Sequence, residues 1–363
     1  MVYKIVMAGG KGERLWPLSR RKRPKQMLSI FSKQPMIKET YNRVEAIFQH
    51  GPVWVITGKE HLTQIKKSLP KAKNLRVIAE PVGRNTAACI GLAAILIEYD
   101  DPNGIMVALP SDHYIEDGPK FKNALIEAVA QADHFNSIVT IGIWPTYPST
   151  GYGYLELGSR VGYGHVERSC RVYAIEKFIE KPTYEAAQGF LKSGKFLWNS
   201  GIFVWRVSRI LDEIKQHIPA LYAGLQKIKK HIGTSTFSNT LEKAYKTLPN
   251  ISIDYGVMER CRESFTVIGN FRWSDVGAWA SLEDIFSIDR EGNVVVGPAI
   301  LSKTRNSIIF SDSKKGVIGI HGLDNVVVVK SGEEVLVCRK DKSQEVKELI
   351  AKLSRDKKFS HLT

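Results

Sequence analysis

A short apolar run, Ile5 to Ala8, breaks at Gly9-Gly10-Lys11-Gly12, and cations follow at Arg14, Arg20, Arg21, Lys22, Arg23 and Lys25. No other stretch limits the folds open to the chain as strongly. Glycines after a buried strand let backbone N–H groups turn outward and approach a ligand closely, which makes a nest for phosphate oxygens. The cations add the charge that a polyphosphate needs. Two better-known phosphate loops are excluded by spacing. A P-loop needs G-x-x-x-x-G-K-[ST], and no Ser or Thr follows Lys11 at the required place. A dinucleotide fingerprint needs a third glycine where this chain has Leu15. The glycines alone would suit a turn beside a solvated basic face, but the density of cations favours phosphate.

From residue 1 to about 145, apolar strand-like runs alternate with amphipathic helical patterns. The runs are Lys4–Ala8, Val53–Thr57, Leu75–Ala79, Ile105–Leu109 and Ile138–Ile143. The helical patterns cover Ile37–Gln49, Glu60–Ser68, Thr86–Glu98 and Phe121–Ala132. Fully apolar strands in such alternation predict a parallel sheet covered on both faces. Ligands then sit at the C-terminal ends of strands. After the third run comes Glu80-Pro81-Val82-Gly83-Arg84-Asn85-Thr86, where Pro81 and Gly83 shape a turn and Asn85 or Thr86 caps the next helix. That reading leaves Glu80 and Arg84 unexplained. After the fourth run comes Leu109-Pro110-Ser111-Asp112-His113. An Asp in that place either caps a helix or holds Mg²⁺ against phosphate oxygens, because magnesium prefers hard carboxylate ligands.

The middle of the chain carries further marked stretches: Gly151-Tyr152-Gly153-Tyr154, Phe178-Ile179-Glu180-Lys181-Pro182, Trp198-Asn199-Ser200-Gly201, Ser252 to Glu259, and Trp273-Ser274-Asp275-Val276-Gly277. A helical span is expected from Ser208 to about Lys230. Taken singly, the Glu180-Lys181 pair is ordinary for an exposed turn, and the tryptophans suit core anchors. From about residue 291 three short β runs begin at Asn293, Asn306 and Asn325, and Val335–Cys338 adds a fourth. They read as β-helical rungs, which cannot bury a core alone and must stack on something. A charged helix at about Lys342–Leu353 follows.

The run GGKGERLWPLSR followed by PKQ resembles the signature of sugar-nucleotide pyrophosphorylases, in the mannose-1-phosphate guanylyltransferase branch. The segments at Glu80, Asp112, Glu180, Asn199 and Asp275 resemble that family's motifs, in its order, from residue 3 to about 290. The resemblance implies an α/β fold with a Rossmann-like, mixed and mainly parallel sheet: a catalytic domain over 1–290, then a small β-helix-like domain over 291–363. It implies transfer of a nucleotidyl group from GTP to mannose 1-phosphate with release of pyrophosphate, assisted by Mg²⁺. On that basis Ala8, Gly9, Gly10, Gly12, Glu80, Gly83, Arg84 and Asn85 line the nucleotide. Arg14 and Lys25 hold the β- and γ-phosphates, Asp112 and Asp275 share the metal, and Lys181 clamps the sugar phosphate. Gly153, Glu180 and Asn199 bind sugar hydroxyls.

Two readings stand for Glu80. A carboxylate can accept two parallel hydrogen bonds from guanine N1–H and N2–H₂; alternatively Glu80 is a solvated turn residue and backbone groups read the base. A nucleotidyltransferase for another hexose or base is the runner-up for the whole chain. Longer members of the family add a phosphomannose isomerase domain, and the length of this chain implies no isomerase activity.

With 43% apolar and 25% charged residues the chain is that of a globular protein, with no apolar stretch approaching the ~20 residues of a membrane span. A cytosolic protein is expected, since no signal peptide is visible. The four cysteines are far apart and form no metal or disulfide framework. The net charge of +15 suits nucleic acid or anionic substrates. The basic residues are mostly dispersed and no nucleic-acid signature appears, so the substrates are preferred. The rungs present apolar faces that imply a homodimer.

Overall fold

In the computed structural model, which describes residues 1–10, 12–163, 170–313 and 315–363, each apolar run of the N-terminal region is a strand. Strands β1 (Val2–Ala8), β2 (Val53–Gly58), β3 (Leu75–Glu80) and β4 (Ile105–Pro110) are followed by the two-residue β5 (Tyr114–Ile115) and by β6 (Ile138–Ile143). Between them lie α1 (Met36–Ile47), α2 (Leu62–Ser68), α3 (Asn85–Asp100) and α4 (Gly118–Phe135). The middle region adds β7 (Gly153–Tyr163), β8 (Arg171–Glu180), β9 (Phe196–Arg206) and β10 (Ser264–Gly269), with helices α5 (Tyr184–Ser193), α6 (Val207–His217), α7 (Pro219–Lys229) and α8 (Phe237–Tyr245).

The chain forms two compact units. The first comprises Met1–Gly9, Lys38–Ser111 and Ile115–Phe271; the second comprises Gly10–Ile37, Asp112–Tyr114 and Arg272–Thr363. The first unit is built on a mixed nine-stranded sheet in the order β3-β2-β1-β4-β9-β6-β10-β8-β7. Strands β1 to β4 run parallel, as do β6 and β10. Strand β9 enters antiparallel between β4 and β6, so those two do not pair with each other. Its sequence, FLWNSGIFVWR, is buried almost throughout, which suits a strand covered on both faces. Helix α3 is buried all round from Ala87 to Ile97, because it packs on β1 and also against α6 and α7.

The single helical span expected from Ser208 is two helices. Pro219 has no N–H to continue α6 and instead opens α7. Helix α5 has no counterpart among the expected elements; Thr183 caps it by accepting the Ala186 N–H, and Gly194 closes it in a left-handed conformation. Neither Asn85 nor Thr86 acts as the cap residue of α3. Asn85 is its first residue, at φ 64°, with Oδ1 accepting the Thr86 N–H, while the Thr86 hydroxyl accepts the Ile253 N–H.

In the second unit β11 (Trp273–Ser274) precedes the rungs. Strands β12 (Val294–Val296), β14 (Ile308–Ser311) and β16 (Val326–Ser331) stack in parallel, and β17 (Glu334–Arg339) pairs antiparallel with β16. A second pair, β13 (Ala299–Ser302) and β15 (Ile318–His321), forms another wall. Asn306 and Asn325 precede their strands at φ 49° and 57°, a left-handed corner that Asn tolerates. The rungs do stack on something. Val294, Ile308, Phe310, Val327 and Val329 share a core with Leu15, Trp16, Leu18, Leu28 and Ile30, with Trp279, and with Val346 and Ile350 of the final helix α9 (Val346–Leu353). No helix among the described residues is long and apolar enough to cross a membrane.

Strand β1, which delivers the glycine loop, is fixed by a buried cation. Lys4 is fully buried, and its Nζ donates to the carbonyls of Phe48 at 2.7 Å and Gly51 at 2.8 Å, with Glu45 at 3.6 Å. Burial lowers the Lys4 pKa and Glu45 partly restores it. Replacing Lys4 by Met keeps the apolar stem but leaves carbonyls beyond the end of α1 without a donor. Lys4→Met is expected to cost about 2–4 kcal/mol in urea unfolding; a loss below about 1 kcal/mol would mean that water replaces the ammonium.

Candidate functional site

The glycine loop and the two aspartate motifs come together in the second unit. Gly10, Gly12, Glu13, Arg14, Lys25, Asp112, Asp275, Gly277 and Lys347 line a cavity of about 400 Å³. Lys25 is its organising group. Its Nζ lies 2.9 Å from Asp112 Oδ2 and donates to the backbone carbonyl of Asp275. Gly12 is required by this arrangement on two counts: its φ is +63°, and a Cβ there would stand 2.5 Å from Lys25 Cβ. Lys11 lies outside the described residues.

Asp275 is presented by an unusual backbone. Val276 is held at φ 49°, an outlier for a β-branched residue, and the Gly277 N–H donates to Asp275 Oδ1 at 2.8 Å. A Cβ on Gly277 would lie 2.6 Å from Asp275 Oδ2, so a side chain there would displace the Asp275 carboxylate from its present position. Burial alone would raise the Asp112 pKa, but the charges of Lys25 and His113 outweigh it and hold the carboxyl below its ordinary value. The site thus pairs an ionised Asp112 with the carboxyl group of Asp275, both hard oxygen donors. No group of three or more His, Cys, Asp or Glu suited to a metal occurs among the described residues. Two protein carboxylates suit Mg²⁺, which keeps waters and takes its remaining ligands from phosphates.

Two of the other cations of residues 20–23 have acidic partners. Arg20 pairs with Glu334 at 2.5 Å and Arg23 with Asp312 at 3.6 Å, both acids on the rungs. The acids offset part of the charge that these two arginines would offer to phosphate, and the pairs link the loop to the rungs.

In the first unit the start of β7, the end of β8 and the neighbouring part of β9 form a polar cluster. Gly153 stands opposite Glu180 in the β7–β8 register, and Asn199 lies on β9. Lys181, at φ 46°, donates to Glu180 Oε1 at 2.5 Å, and its ammonium is 5.8 Å from the Tyr255 ring. Burial works against the Lys181 charge, but Glu180, Asp254 and Tyr255 hold its pKa above the ordinary value. Asn199 is oriented from both ends. Its Oδ1 lies 2.9 Å from Thr140 Oγ1 and accepts the Gly201 N–H at 3.2 Å, while its Nδ2 donates to Asp254 Oδ1 at 3.2 Å.

Asp254 is the member of this cluster to which the sequence reading gave no role. Burial and the neighbouring Glu180 push its pKa up to about 7. It sits at the start of a single π-helical turn, Asp254–Met258. Such turns are common at functional sites and break the 3.6-residue period, so hydrophobic patterning gave no signal there.

The nucleotide candidates of the first unit lie at the ends of β1 and β3. Ala8 ends β1 fully buried, with its carbonyl accepting from Thr57 Oγ1, and Gly9 follows it. Glu80 is 5% exposed; its Oε1 accepts from the Tyr245 hydroxyl, and its Oε2 lies near Gly9. It is not a solvated turn residue, so that reading is withdrawn. Burial pushes its pKa up to about 7 although the Tyr245 bond opposes the shift. Arg84 donates to the Lys246 carbonyl, and Gly83 and Asn85 on either side of it are exposed. Tyr245, 165 residues from Glu80, had no local signal in the sequence.

Comparison with known proteins matches the chain in two parts. The nucleotidyl transferase family model matches residues 3–292, and a MannoseP isomerase/GMP-like beta-helix domain matches residues 297–353. The chain is 37% identical over 355 residues to xanthan biosynthesis protein XanB of Xanthomonas campestris pv. campestris (strain B100), covering 97% of this chain and 73% of that one. It is 36% identical over 365 residues to a mannose-1-phosphate guanylyltransferase of Escherichia coli (strain K12), covering 99% and 75%. The crystal structure of a mannose-1-phosphate geranyltransferase from Thermus thermophilus superposes with a TM-score of 0.85 at 34% identity, covering 97% of this chain and 99% of that one.

The state of Glu80 can be measured without substrate. Its pKa is about 7 in the fold against 4.5 as the ordinary value, so the folded protein holds this proton more tightly than the unfolded chain. Its contribution therefore falls as pH rises from about 4.5 to about 7, by on the order of 3 kcal/mol. Glu80→Gln retains an acceptor for Tyr245 without the charge. The variant is expected to melt above wild type near pH 8 and close to it near pH 5. The same difference in Tm at both pH values would show that Glu80 is ionised throughout.

Proposed function

The chain belongs to the mannose-1-phosphate guanylyltransferase family of nucleotidyl transferases, and on that premise we propose that it makes GDP-mannose and pyrophosphate from GTP and α-D-mannose 1-phosphate. The observation that carries this reading is the cavity in which Gly10, Gly12, Arg14 and Lys25 meet Asp112 and Asp275. It combines backbone amides and cations for phosphate oxygens with the paired carboxylates that a divalent ion needs.

In the proposed reaction an oxygen of the sugar phosphate attacks the α-phosphorus of GTP in line. The new P–O bond forms as the bond to the β-phosphate breaks, and pyrophosphate departs. A phosphate monoester has a second pKa near ~6 and is already largely dianionic at neutral pH, so no general base is required. The demands on the protein are positioning and charge neutralisation. The amides of Gly10 and Gly12, with Arg14 and Lys25, hold the β- and γ-phosphates. Lys181 holds the sugar phosphate, leaving Glu180 to accept from sugar hydroxyls while Asn199 donates to them. Magnesium held by Asp112 and Asp275 would neutralise charge on the phosphate oxygens. Glu80 remains the candidate for reading guanine, with Tyr245 fixing one of its oxygens.

Pyrophosphate release measured over a matrix of nucleotides and sugar 1-phosphates tests the reading. GTP with mannose 1-phosphate is expected to be the best pair; a different best pair overturns the substrate assignment. Asp112→Asn and Asp275→Asn are each expected to lower kcat by roughly 10³-fold with the fold intact. Near-normal turnover in either removes that residue from the metal site. In the same matrix Glu80→Gln should lower the preference for GTP over ATP at least ~10-fold if its carboxylate reads the base.

We also propose a homodimer formed through the rungs, where Ile300, Val335 and Val337 are 68, 52 and 61% exposed. Light scattering should give twice the chain mass of 40.7 kDa. A wild-type monomer, or an Ile300→Asp variant that dimerises unchanged, counts against that interface.

A further inference from the structure

Lys347 belongs to α9, beyond the part of the chain matched by the nucleotidyl transferase model, yet it lines the phosphate cavity beside Gly10, Gly12 and Arg14. Its place there is fixed by packing. Val346 and Ile350 on the neighbouring face of α9 are buried in the core shared with Leu15 and Trp16, and the helix lies against the Glu13–Leu15 turn. The side chain of Lys347 is therefore held at the cavity by a helix that cannot turn without exposing Val346 and Ile350.

The charges around the cavity show why a further cation matters. Three cations line it, Arg14, Lys25 and Lys347, together with the acids Glu13, Asp112 and Asp275. Lys25 is already committed to Asp112 at 2.9 Å and to the Asp275 carbonyl. No ion pair among the described residues engages Arg14 or Lys347. A departing pyrophosphate carries more negative charge than either phosphate had in the triphosphate chain, and two uncommitted cations on facing segments suit it. Lys also suits a flexible, point-charge contact with phosphate.

We propose that Lys347 is a pyrophosphate-binding residue, which contacts the β- and γ-phosphates of the nucleotide and holds them as they leave. This rests on the nucleotidyl transfer reading for its substrate, but the anion it binds can be tested apart from that reaction. The group that binds the leaving phosphates is then partly supplied by the β-helical tail.

The test uses the full chain and titrates inorganic pyrophosphate calorimetrically into wild type, Lys347→Ala, Lys347→Arg and, as a control on the same helix, Lys352→Ala. Lys347→Ala is expected to weaken pyrophosphate binding roughly 10-fold or more, about the worth of one charge-assisted contact. Lys347→Arg should recover most of it, and Lys352→Ala should match wild type. In kinetics, Lys347→Ala should raise KM for GTP, and for pyrophosphate in the reverse direction, while leaving KM for the sugar phosphate unchanged. Its Tm should equal that of wild type, because the lysine is exposed. Equal pyrophosphate affinity in wild type and Lys347→Ala overturns the proposal, as does an equal loss in Lys352→Ala. If wild type transfers no nucleotide at all, the function reading fails, and the calorimetric comparison still decides the role of Lys347.

Discussion

One buried ammonium holds the phosphate cavity together. Lys25 links its own loop to Asp112 and to the backbone at Asp275, three points separated by long stretches of sequence. A partly buried lysine is costly unless it is paired, and here one carboxylate and one carbonyl share the task. The geometry around it follows: Gly12 must lack a side chain to lie on Lys25, and Asp112 is kept ionised by the same charge. Lys25 reaches one carboxylate oxygen, Asp112 Oδ2, and meets Asp275 at its backbone carbonyl, so it leaves the Asp275 carboxylate to the Gly277 N–H.

The sugar-side cluster solves a different electrostatic problem. Two acids, Glu180 and Asp254, share one lysine in a poorly solvated place. With one cation between two carboxyls, the free protein favours keeping a proton on Asp254 near neutral pH. Asn199 is locked by Thr140, Gly201 and Asp254, so it offers a donor and not an acceptor to a ligand. A donor beside acidic acceptors is a pattern that vicinal hydroxyls can satisfy, and a bare phosphate cannot.

What the sequence disclosed depended on how local the cause was. The strands from β1 to β4, and β6, were legible because each is a continuous apolar run, and the residues after them carried the chemistry as strand-end logic requires. Strand β9 was visible only as a motif around Asn199, since nothing in its sequence states that it enters antiparallel at the centre of the sheet. The break at Pro219 is hidden inside a strong helical pattern, where the missing N–H decides the outcome. Glu80 was legible as a strand-end residue but its environment was not, because the Tyr245 hydroxyl comes from the far end of the unit. Arg20 and Arg23 looked like phosphate ligands because their acidic partners lie some three hundred residues away. Long-range pairing of this kind leaves no trace in spacing.

The Arg20–Glu334 and Arg23–Asp312 pairs, with the core that joins Leu15 and Trp16 to the rungs, also bear on how such a protein can be recombined. The rungs look like a detachable cassette in linear sequence, yet their packing partners lie among residues 10–37. A chimera that imports only a relative's tail would graft foreign rungs onto an unmatched loop. The heritable block is discontinuous: the loop and the tail must be transplanted together.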